Sequence, residues 1–336
     1  MQALLCKELG PADSLVVETV ADPQAAAGEV VVDLYAAGLN FPDTLAITGR
    51  YQLRPELPFI PGGEAAGRIS ALGEGVDRWK VGDRVIVSGA TGAFAEKICK
   101  PQNEIVALPD SMDYETGAGF LAAYGTSYYA LKQRGNLQPG ETLLVLGAAG
   151  GVGLAAVDIG SALGATVIAA ASSEEKLDVA CEAGASERIN YSRENLKERV
   201  KALTDGGVDV VYDPVGGELA EQALRATGWD GRYLVIGFAA GEIPRIPLNL
   251  CLLKSNAIIG VFYGAWIERE PAAYTRNVDE LFALYEKGAL SPLVTQVFPL
   301  RDYVEAFATL TERRAQGKVI FRIRDRARGR DEHRSR

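Results

Sequence analysis

A glycine-rich turn between a short apolar strand and a helix constrains the fold of this chain more than any other feature. The predicted strand is Thr142–Leu146, the turn is Gly147–Gly153 with the sequence GAAGGVG, and an amphipathic helix follows. Such a turn lets the backbone approach a pyrophosphate while helix N–H groups face the anion. In the strict G-x-G-x-x-G pattern the first position is Ala148, followed by Gly150 and Gly153. The strand–turn–helix context predicts a dinucleotide site of the Rossmann type.

Strands that alternate with helices continue around this turn, from about residue 115 to residue 261. The predicted elements of this part are, in chain order, helix Thr116–Lys132, strand Thr142–Leu146, helix Val152–Leu163, strand Thr166–Ala170, helices Glu174–Ala183 and Asn195–Leu203, and strands Val208–Tyr212, Tyr233–Ile236 and Ala257–Val261. Short loops join them. This alternation predicts an α/β fold with a parallel, doubly wound sheet.

The two ends of the chain follow a different, β-rich pattern. The predicted elements there are strands Glu29–Tyr35, Glu64–Ile69, Arg84–Ser88 and Phe94–Cys99, and later helix Pro271–Lys287, strand Val294–Pro299, helix Arg301–Arg314 and strand Val319–Ile323. The simplest arrangement is a nucleotide domain inserted into a β-rich domain that both ends form. We therefore predict a β-rich domain over 1–122 and 265–324, a nucleotide-binding domain over 123–264, and a basic, disordered tail over 325–336.

The charge of the chain is unevenly distributed. Its 336 residues contain 35 Lys and Arg against 44 Asp and Glu, a net charge of −9. Residues 322–336 hold seven arginines and three acids, so the preceding part carries −13. Such a body repels nucleic acid and anionic membranes, and we expect neither as a partner.

Histidine and cysteine usage excludes several kinds of catalytic site. The single histidine is His333 in the basic tail, so Ser-His-Asp and Cys-His catalytic sets are not expected. The four cysteines are at least 70 residues apart and lack metal-ligand spacing. We therefore expect no bound metal.

Two features of the sequence bear on location. No run of 18 or more apolar residues occurs, and the segment MQALLCKELG lacks a signal-peptide pattern. We expect a cytoplasmic protein.

The residues after the second strand of the nucleotide domain bear on cofactor choice. An acidic residue there would bind the ribose 2′-hydroxyl of NAD, but the sequence from residue 171 is ASSEEK. Small hydroxyl residues leave room for a 2′-phosphate, and Lys176 and Arg193 could supply charge. Alternatively Ser172 or Ser173 caps the next helix, which is compatible with phosphate binding. The two acids at 174 and 175 count against phosphate, so NADPH is favoured without being required.

Several blocks together resemble the medium-chain dehydrogenase/reductase superfamily, specifically its zinc-free quinone oxidoreductase (zeta-crystallin-like) branch. The resemblance extends to about Ile323. The blocks are Gly38–Asp43, Gly49–Tyr51, Pro58–Gly67, Val81–Val85, Ala148–Gly153, Tyr212–Gly217 and Gly317–Val319. The resemblance implies that the β-rich part is a GroES-like catalytic domain with the Rossmann domain inserted. Zinc relatives have a Cys near Gly38 and a His near Gly63, and this chain has neither. Without that metal to stabilise an alkoxide, we expect reduction of an already electrophilic acceptor.

The resemblance also implies site residues. Asn40 and Tyr51 would line the cleft beside the nicotinamide as the catalytic residues, although Tyr51 is alternatively a core aromatic and Asn40 a turn residue. The residues implied for cofactor binding are Asn40, Tyr51, Thr126, Ala149, Gly150, Gly151, Val152, Gly153, Ser172, Ser173, Lys176, Tyr191, Gly237, Phe238, Val261, Phe262 and Tyr263. We expect structural roles for Asp43 and Glu64, packing beside the cofactor for Asp213, and a surface position for Lys318.

These expectations define an NADPH-dependent, zinc-independent oxidoreductase that transfers hydride to a quinone or a related α,β-unsaturated carbonyl. One alternative is an enoyl or acrylate reductase, acting on a CoA thioester or a 2-haloacrylate, in which Arg50 and Arg54 would meet an anionic acceptor. Another is a non-catalytic NADPH-binding protein, crystallin-like or RNA-binding. An apolar edge strand at 257–263 predicts a homodimer that pairs two copies across a two-fold axis, with a tetramer left open.

Overall fold

The computed structural model describes residues 1–324, and the predicted basic tail at 325–336 lies outside them. The chain forms two compact units. The first unit contains Met1–Gly119, Val294–Arg314 and, within the described residues, 318–324. The second unit contains Phe120–Leu293 and Ala315–Gly317.

The strands of the described residues are numbered in chain order. They are β1 (Gln2–Leu5), β2 (Val16–Thr19), β3 (Glu29–Leu39), β4 (Glu64–Leu72), β5 (Arg84–Ser88), β6 (Lys97–Pro101), β7 (Ile105–Ala107), β8 (Thr142–Leu146), β9 (Thr166–Ala171), β10 (Glu187–Asn190), β11 (Val208–Asp213), β12 (Thr227–Val235), β13 (Ala257–Gly260), β14 (Val294–Pro299) and β15 (Lys318–Arg322).

The α-helices are numbered in the same way. They are α1 (Phe41–Ile47), α2 (Tyr114–Ala118), α3 (Thr126–Tyr128), α4 (Gly151–Ala162), α5 (Glu174–Glu182), α6 (Leu196–Leu203), α7 (Glu218–Ala226), α8 (Asn249–Lys254), α9 (Tyr263–Arg269), α10 (Pro271–Glu286) and α11 (Tyr303–Thr311). π-Helical segments at Leu121–Gly125 and Tyr129–Arg134 flank α3, and 3₁₀ turns form at Ala12–Ser14 and Leu300–Asp302.

The first unit is built around the long strand β3. Its seven-stranded sheet has the order β14-β15-β3-β4-β5-β7, with β6 also paired to β3, and β1 pairs with β2 separately. Phe94 contacts Phe307 and Phe321 edge to face, and all three rings are buried. Both ends of the chain therefore contribute to one core, as the sequence predicted for the β-rich domain.

The second unit contains a six-stranded parallel sheet in the order β10-β9-β8-β11-β12-β13. The side chains of Leu143, Leu144, Val145 and Leu146 on the central strand β8 are all fully buried. A continuous apolar run of this kind is typical of a parallel strand covered on both faces. The strand order is that of the doubly wound dinucleotide-binding fold, which confirms the predicted α/β fold class.

The predicted domain boundary after Gly264 differs from the observed division. We predicted that 265–293 belong to the β-rich domain, but they lie in the second unit, as do residues 120–122. The reason is packing of α10 on the segment that contains α3 and its flanking turns, where Phe282 stacks on Phe120 and Glu280 accepts a 2.7 Å hydrogen bond from Tyr128. An amphipathic helix pattern shows that a face is buried, but it does not identify the partner.

Among the helices of residues 1–324, none combines the length and apolar character that crossing a lipid bilayer requires.

Candidate active site

The residues predicted to bind the cofactor lie where parallel strands of the second unit end. Ala149, Gly150, Gly151, Val152 and Gly153 follow β8, Ser172, Ser173 and Lys176 follow β9, Tyr191 follows β10, Gly237 and Phe238 follow β12, and Val261, Phe262 and Tyr263 follow β13. The strand order reverses between β8 and β11, because β9 and β10 lie on one side of β8 and the later strands on the other. In open α/β sheets this reversal marks the ligand-binding edge.

The turn after β8 has the geometry that a diphosphate requires. Gly150 has extended backbone angles and precedes the first turn of the twelve-residue helix α4, so no side chain covers that end. A Cβ on Gly153 would lie 2.2 Å from the carbonyl oxygen of Gly147, and only glycine avoids this contact. Gly147 itself has φ +59°. The helix N–H groups and the absence of side chains make this turn a suitable cradle for an anion.

Gly317 also belongs to this turn, although we assigned it no role from its sequence motif. Its N–H donates a 2.7 Å hydrogen bond to the carbonyl of Ala149, and it forms a parallel bridge with Gly150. Its φ is +63°, and a Cβ at this position would lie 2.4 Å from the Leu293 carbonyl oxygen, so only glycine fits. The motif Gly317–Val319 was visible in the sequence, but only the fold shows that its first residue supports the nucleotide turn.

Asp213 holds the turn that follows β11. Its Oδ1 accepts hydrogen bonds from the N–H groups of Val215 and Gly216 at 2.7 and 2.8 Å, and its Oδ2 accepts one from Tyr233. Burial raises the pKa of Asp213 above its ordinary value, although these three hydrogen bonds offset part of the rise. The Val215 side chain packs against Gly147. Asp213 thus supports a turn that itself packs on the glycine-rich turn.

The end of β9 combines a helix cap with a cluster of polar groups. Ser173 caps α5 by accepting from the backbone N–H of Lys176, and Lys176 Nζ lies 3.4 Å from Ser172 Oγ. The capping and phosphate-binding interpretations are therefore compatible in geometry. Glu174, which counted against phosphate, accepts a 2.6 Å hydrogen bond from the buried amide of Asn190.

Thr126 and Tyr263, two further predicted positions, lie beside the π-helical segment Leu121–Gly125. Ser127, beside Thr126, donates to the carbonyl of Val152 at 2.9 Å. A Cβ on Gly125 would lie 2.1 Å from the Tyr263 hydroxyl, so Tyr263 packs directly against the π-helical segment Leu121–Gly125. Phe238 packs against Gly216, whereas Phe262 is half exposed beyond β13.

The first unit holds a buried polar cluster at the start of α1. Lys318 Nζ donates 2.6 Å hydrogen bonds to Asn40 Oδ1 and to Glu64 Oε1, and Asn40 Nδ2 donates to Glu64 Oε1 at 3.0 Å. The prediction that Lys318 is a surface charge was wrong, because the residue is only 6% exposed. Antiparallel pairing of Val319 with Leu39 places Lys318 beside Asn40. Glu64 is buried, and its structural role stays a prediction.

Asp43 and Tyr51 lie near this cluster. Asp43 Oδ2 accepts a 2.8 Å hydrogen bond from the Asn40 N–H. Burial raises the pKa of Asp43 to about 7, against the hydrogen bond from Asn40 and the charge of Lys318. Tyr51 is half-buried, and burial together with the charge of Asp43 raises the pKa of its hydroxyl. The hydroxyl therefore remains protonated at neutral pH and able to donate.

The structure thus brings Asn40 and Tyr51 together in one unit, while the other predicted cofactor residues lie in the other unit. Within residues 1–324 no group of three or more His, Cys, Asp or Glu side chains is arranged to hold a metal ion.

Two family models match the chain. They are described as an alcohol dehydrogenase GroES-like domain, over residues 26–124, and a zinc-binding dehydrogenase, over residues 151–280. The first lies in the β-rich unit except for its last five residues, and the second covers the strands of the parallel sheet after β8 and reaches into α10.

Individual relatives give the same result over nearly the whole chain. A quinone oxidoreductase-like protein 2 homolog from Nematostella vectensis is 39% identical over 324 residues, covering 95% of this chain and 88% of the relative. A quinone oxidoreductase from Pseudomonas aeruginosa is 38% identical, with coverage of 87% and 90%. The structure of Escherichia coli quinone oxidoreductase complexed with NADPH matches with a TM-score of 0.89 at 32% identity, covering 96% and 100%.

The chain belongs to the zinc-free quinone oxidoreductase branch of the medium-chain dehydrogenase/reductase superfamily. It is an oxidoreductase, with a GroES-like domain and a Rossmann domain, and the predicted family is confirmed.

Proposed function

We propose that this chain is an NADPH-dependent reductase that delivers hydride to a quinone or a related α,β-unsaturated carbonyl. The observation that carries the proposal is the close approach of Gly153 to the carbonyl oxygen of Gly147, which leaves no room for a Cβ. This approach occurs at the point where the strand order reverses. That arrangement suits a dinucleotide. The NADPH complex of the Escherichia coli neighbour supports the same cofactor here.

We assign backbone groups to the diphosphate of the cofactor and side chains to its 2′-phosphate. Backbone N–H groups of Gly151 and Val152 in the first turn of α4 face the diphosphate. Ser172, Lys176 and Tyr191 meet the 2′-phosphate, where the lysine supplies the positive charge. The carboxylate of Glu174 is held by a hydrogen bond from Asn190 and lies 3.8 Å from Arg193, which offsets part of its negative charge.

We assign the hydrogen-bond donors for the acceptor to residues of the first unit. NADPH supplies the hydride when bound. As negative charge develops on the acceptor oxygen, the Asn40 amide and the Tyr51 hydroxyl donate hydrogen bonds to it. The Tyr51 hydroxyl is protonated at neutral pH, and its raised pKa extends the donating form to higher pH. The final proton comes from Tyr51 or from water, since no histidine lies in residues 1–324.

The test is the initial rate of NADPH oxidation, with NADH alongside, against a panel of acceptors. The panel contains a benzoquinone, an ortho-quinone, a 2-alkenal, 2-chloroacrylate and an enoyl-CoA. Fast turnover with quinones or the alkenal supports the proposal. Preference for 2-chloroacrylate or enoyl-CoA would assign the chain to acid or thioester reduction instead. Tight NADPH binding without turnover of any acceptor would contradict a catalytic role.

We also propose that two copies pair through β13. This strand ends the six-stranded sheet, and Ile258 on it is 40% exposed. Phe262, just beyond the strand, is 49% exposed. An apolar edge strand favours pairing with its own copy around a two-fold axis. The cytoplasmic location stays a prediction.

A further inference from the structure

Lys318, Asn40 and Glu64 form a closed set of hydrogen bonds in the first unit. The lysine donates to one oxygen of each partner at 2.6 Å, and the asparagine donates to the same carboxylate oxygen at 3.0 Å. The side chains of Lys318 and Glu64 are 7% and 1% exposed. Water therefore competes weakly with these bonds, and their geometry is set by the protein.

The chemistry of the two flanking groups decides which way the Asn40 amide points. An ammonium group can only donate, and an ionised carboxylate can only accept. The Asn40 oxygen must therefore face Lys318 and its nitrogen must face Glu64. The flipped amide would place Nδ2 against the ammonium and Oδ1 against the carboxylate, which are two repulsive contacts. The orientation, usually ambiguous for asparagine, is fixed by its neighbours.

This orientation leaves a donor available for a substrate. The Asn40 nitrogen carries two hydrogens, and one of them is bonded to Glu64. The remaining contact of Nδ2, to the Gly38 carbonyl, is 3.5 Å long, outside the usual range of an N–H···O hydrogen bond. An acceptor oxygen with developing negative charge can replace that contact. The ammonium at Oδ1 also polarises the amide and strengthens its N–H as a donor.

We propose that Lys318 is a positioning residue for carbonyl reduction, because it fixes the amide of Asn40 so that Nδ2 donates to the oxygen of the bound acceptor. The inference rests on the proposed function, which places Asn40 against the acceptor. Burying an ion pair contributes little net stability compared with apolar side chains, so a role in setting geometry accounts better for its presence. Gly38 makes the pair possible, since a Cβ there would lie 2.5 Å from Glu64 Oε1.

A double-mutant cycle in a neutral background tests whether Lys318 acts through Asn40. Glu64→Gln serves as the background, so that Lys318→Met does not leave the Glu64 carboxylate buried without its counter-charge. In that background Asn40→Ala should lower kcat about 10²-fold, the loss typical of a removed oxyanion donor, and Lys318→Met, which displaces the donor, should lower kcat at least about tenfold. Once Asn40 is alanine, Lys318→Met should change kcat less than about twofold. The Kd for NADPH should stay constant throughout.

Lys100→Met is the matched control, because Lys100 is also partly buried and ion-paired in the first unit, to Glu104. It should leave kcat unchanged. The inference would be overturned if Lys318→Met lowered kcat equally whether residue 40 is Asn or Ala. It would also be overturned if Lys318→Met lowered kcat in neither case. An active enzyme that is insensitive to Asn40→Ala would overturn both the inference and the proposed role of Asn40.

A second measurement does not depend on turnover. The chain has eight asparagines, so selective ¹⁵N labelling gives few side-chain amide signals, and Asn40→Ala assigns the pair from Asn40. Replacing both partners, by Lys318→Met with Glu64→Gln, should shift or broaden that pair while the other seven stay in place. An unchanged Asn40 signal would overturn the inference. A shifted signal in an enzyme that reduces no acceptor would support the positioning role and reject the proposed reaction.

Discussion

The amide of Asn190 donates a 2.6 Å hydrogen bond to Glu174 and holds that carboxylate against the end of β10. Arg193 lies 3.8 Å from the same oxygen. Asn190 is 3% exposed, so the restraint is built into the unit rather than made by a surface side chain. An acid near the end of the second strand of a Rossmann fold favours NADH, and here the carboxylate of Glu174, three residues after β9, is hydrogen-bonded within the protein.

Releasing Glu174 should weaken the preference for NADPH. In Asn190→Ser the Glu174 carboxylate loses the amide that donates to it. The serine hydroxyl keeps an oxygen that can accept the hydrogen bond from the Ser192 N–H, as Asn190 Oδ1 does in the natural chain. A mobile carboxylate beside Ser172 and Lys176 repels the 2′-phosphate, so we expect the ratio of the NADPH and NADH affinities to fall about tenfold, or about 1.4 kcal/mol. Titration of nucleotide fluorescence measures both Kd values. Adding Glu174→Gln should restore the ratio, and failure to restore it would show that another group is responsible.

Gly153→Ala should abolish cofactor binding and lower stability. Alanine normally stabilises a helix relative to glycine by about 1 kcal/mol, but here the added Cβ would lie 2.2 Å from the Gly147 carbonyl oxygen. The turn must open to accommodate it, which disturbs the site for the diphosphate. Gly264→Ala in α9 is the control for stability, because its Cβ meets a first neighbour at 3.9 Å. Calorimetry with and without NADPH compares them, and a Gly153 variant that binds normally would contradict the assigned turn.

Tyr51→Phe should lower turnover while leaving NADPH affinity nearly intact. The substitution removes only the hydroxyl, which the raised pKa keeps protonated and which we assign to the acceptor oxygen. Loss of one such donor typically lowers kcat about 10²-fold or more. Steady-state rates with the best acceptor, together with the NADPH Kd, separate the two effects. Unchanged turnover would remove Tyr51 from the mechanism and favour its alternative interpretation as a packing aromatic.

Ile258→Lys should convert the proposed dimer to a monomer. The two copies of β13 would bring like charges together along the shared edge, which is a common means of preventing strand pairing. Sedimentation velocity gives the mass in solution. Val81→Lys is the control, because this valine is 60% exposed and lies in the first unit. A dimer that survives Ile258→Lys would place the interface elsewhere.

The parts of the fold that depend on local pattern were predicted well from the sequence. Strands Arg84–Ser88, Thr142–Leu146 and Val294–Pro299 have the predicted bounds, because each is a short apolar or alternating run between turn residues. Strand β12 begins at Thr227, six residues before the predicted start at Tyr233. Asp230 there has φ +57° and two glycines flank it, so the local signal indicates a turn.

The parts that depend on distant residues were not accessible in the same way. The burial of Lys318 follows from pairing of β15 with β3, which are almost 280 residues apart. No local pattern distinguishes this lysine from a surface one. The attachment of α10 to the second unit similarly depends on the stacking of Phe282 with Phe120. The site residues taken from motif blocks are located by the fold, but their roles stay predictions.

Asp43 should make the folded state less stable as the pH rises from about 4 to 7. Burial raises its pKa from 3.8 to about 7, and the negative charge of Glu64 adds to this rise. The hydrogen bond from the Asn40 N–H and the charge of Lys318 act in the opposite direction. Below pH 3.8 both folded and unfolded chains carry the protonated acid. Between the two values only the unfolded chain releases the proton, so unfolding becomes more favourable as pH rises, by at most about 4 kcal/mol in total.

Asp43→Asn removes this dependence and keeps an oxygen for the Asn40 N–H. The free energy of unfolding of the variant, measured in urea at pH 5 and pH 8, should therefore rise relative to that of the natural chain as the pH increases. Asp22→Asn is the control, because hydrogen bonds from Lys97 and the N-terminus lower the pKa of Asp22 to about 2. Its contribution is lost only as pH falls below about 4, so it should not differ between pH 5 and pH 8. Parallel behaviour of Asp43→Asn and the natural chain would show that Asp43 is already ionised at pH 5.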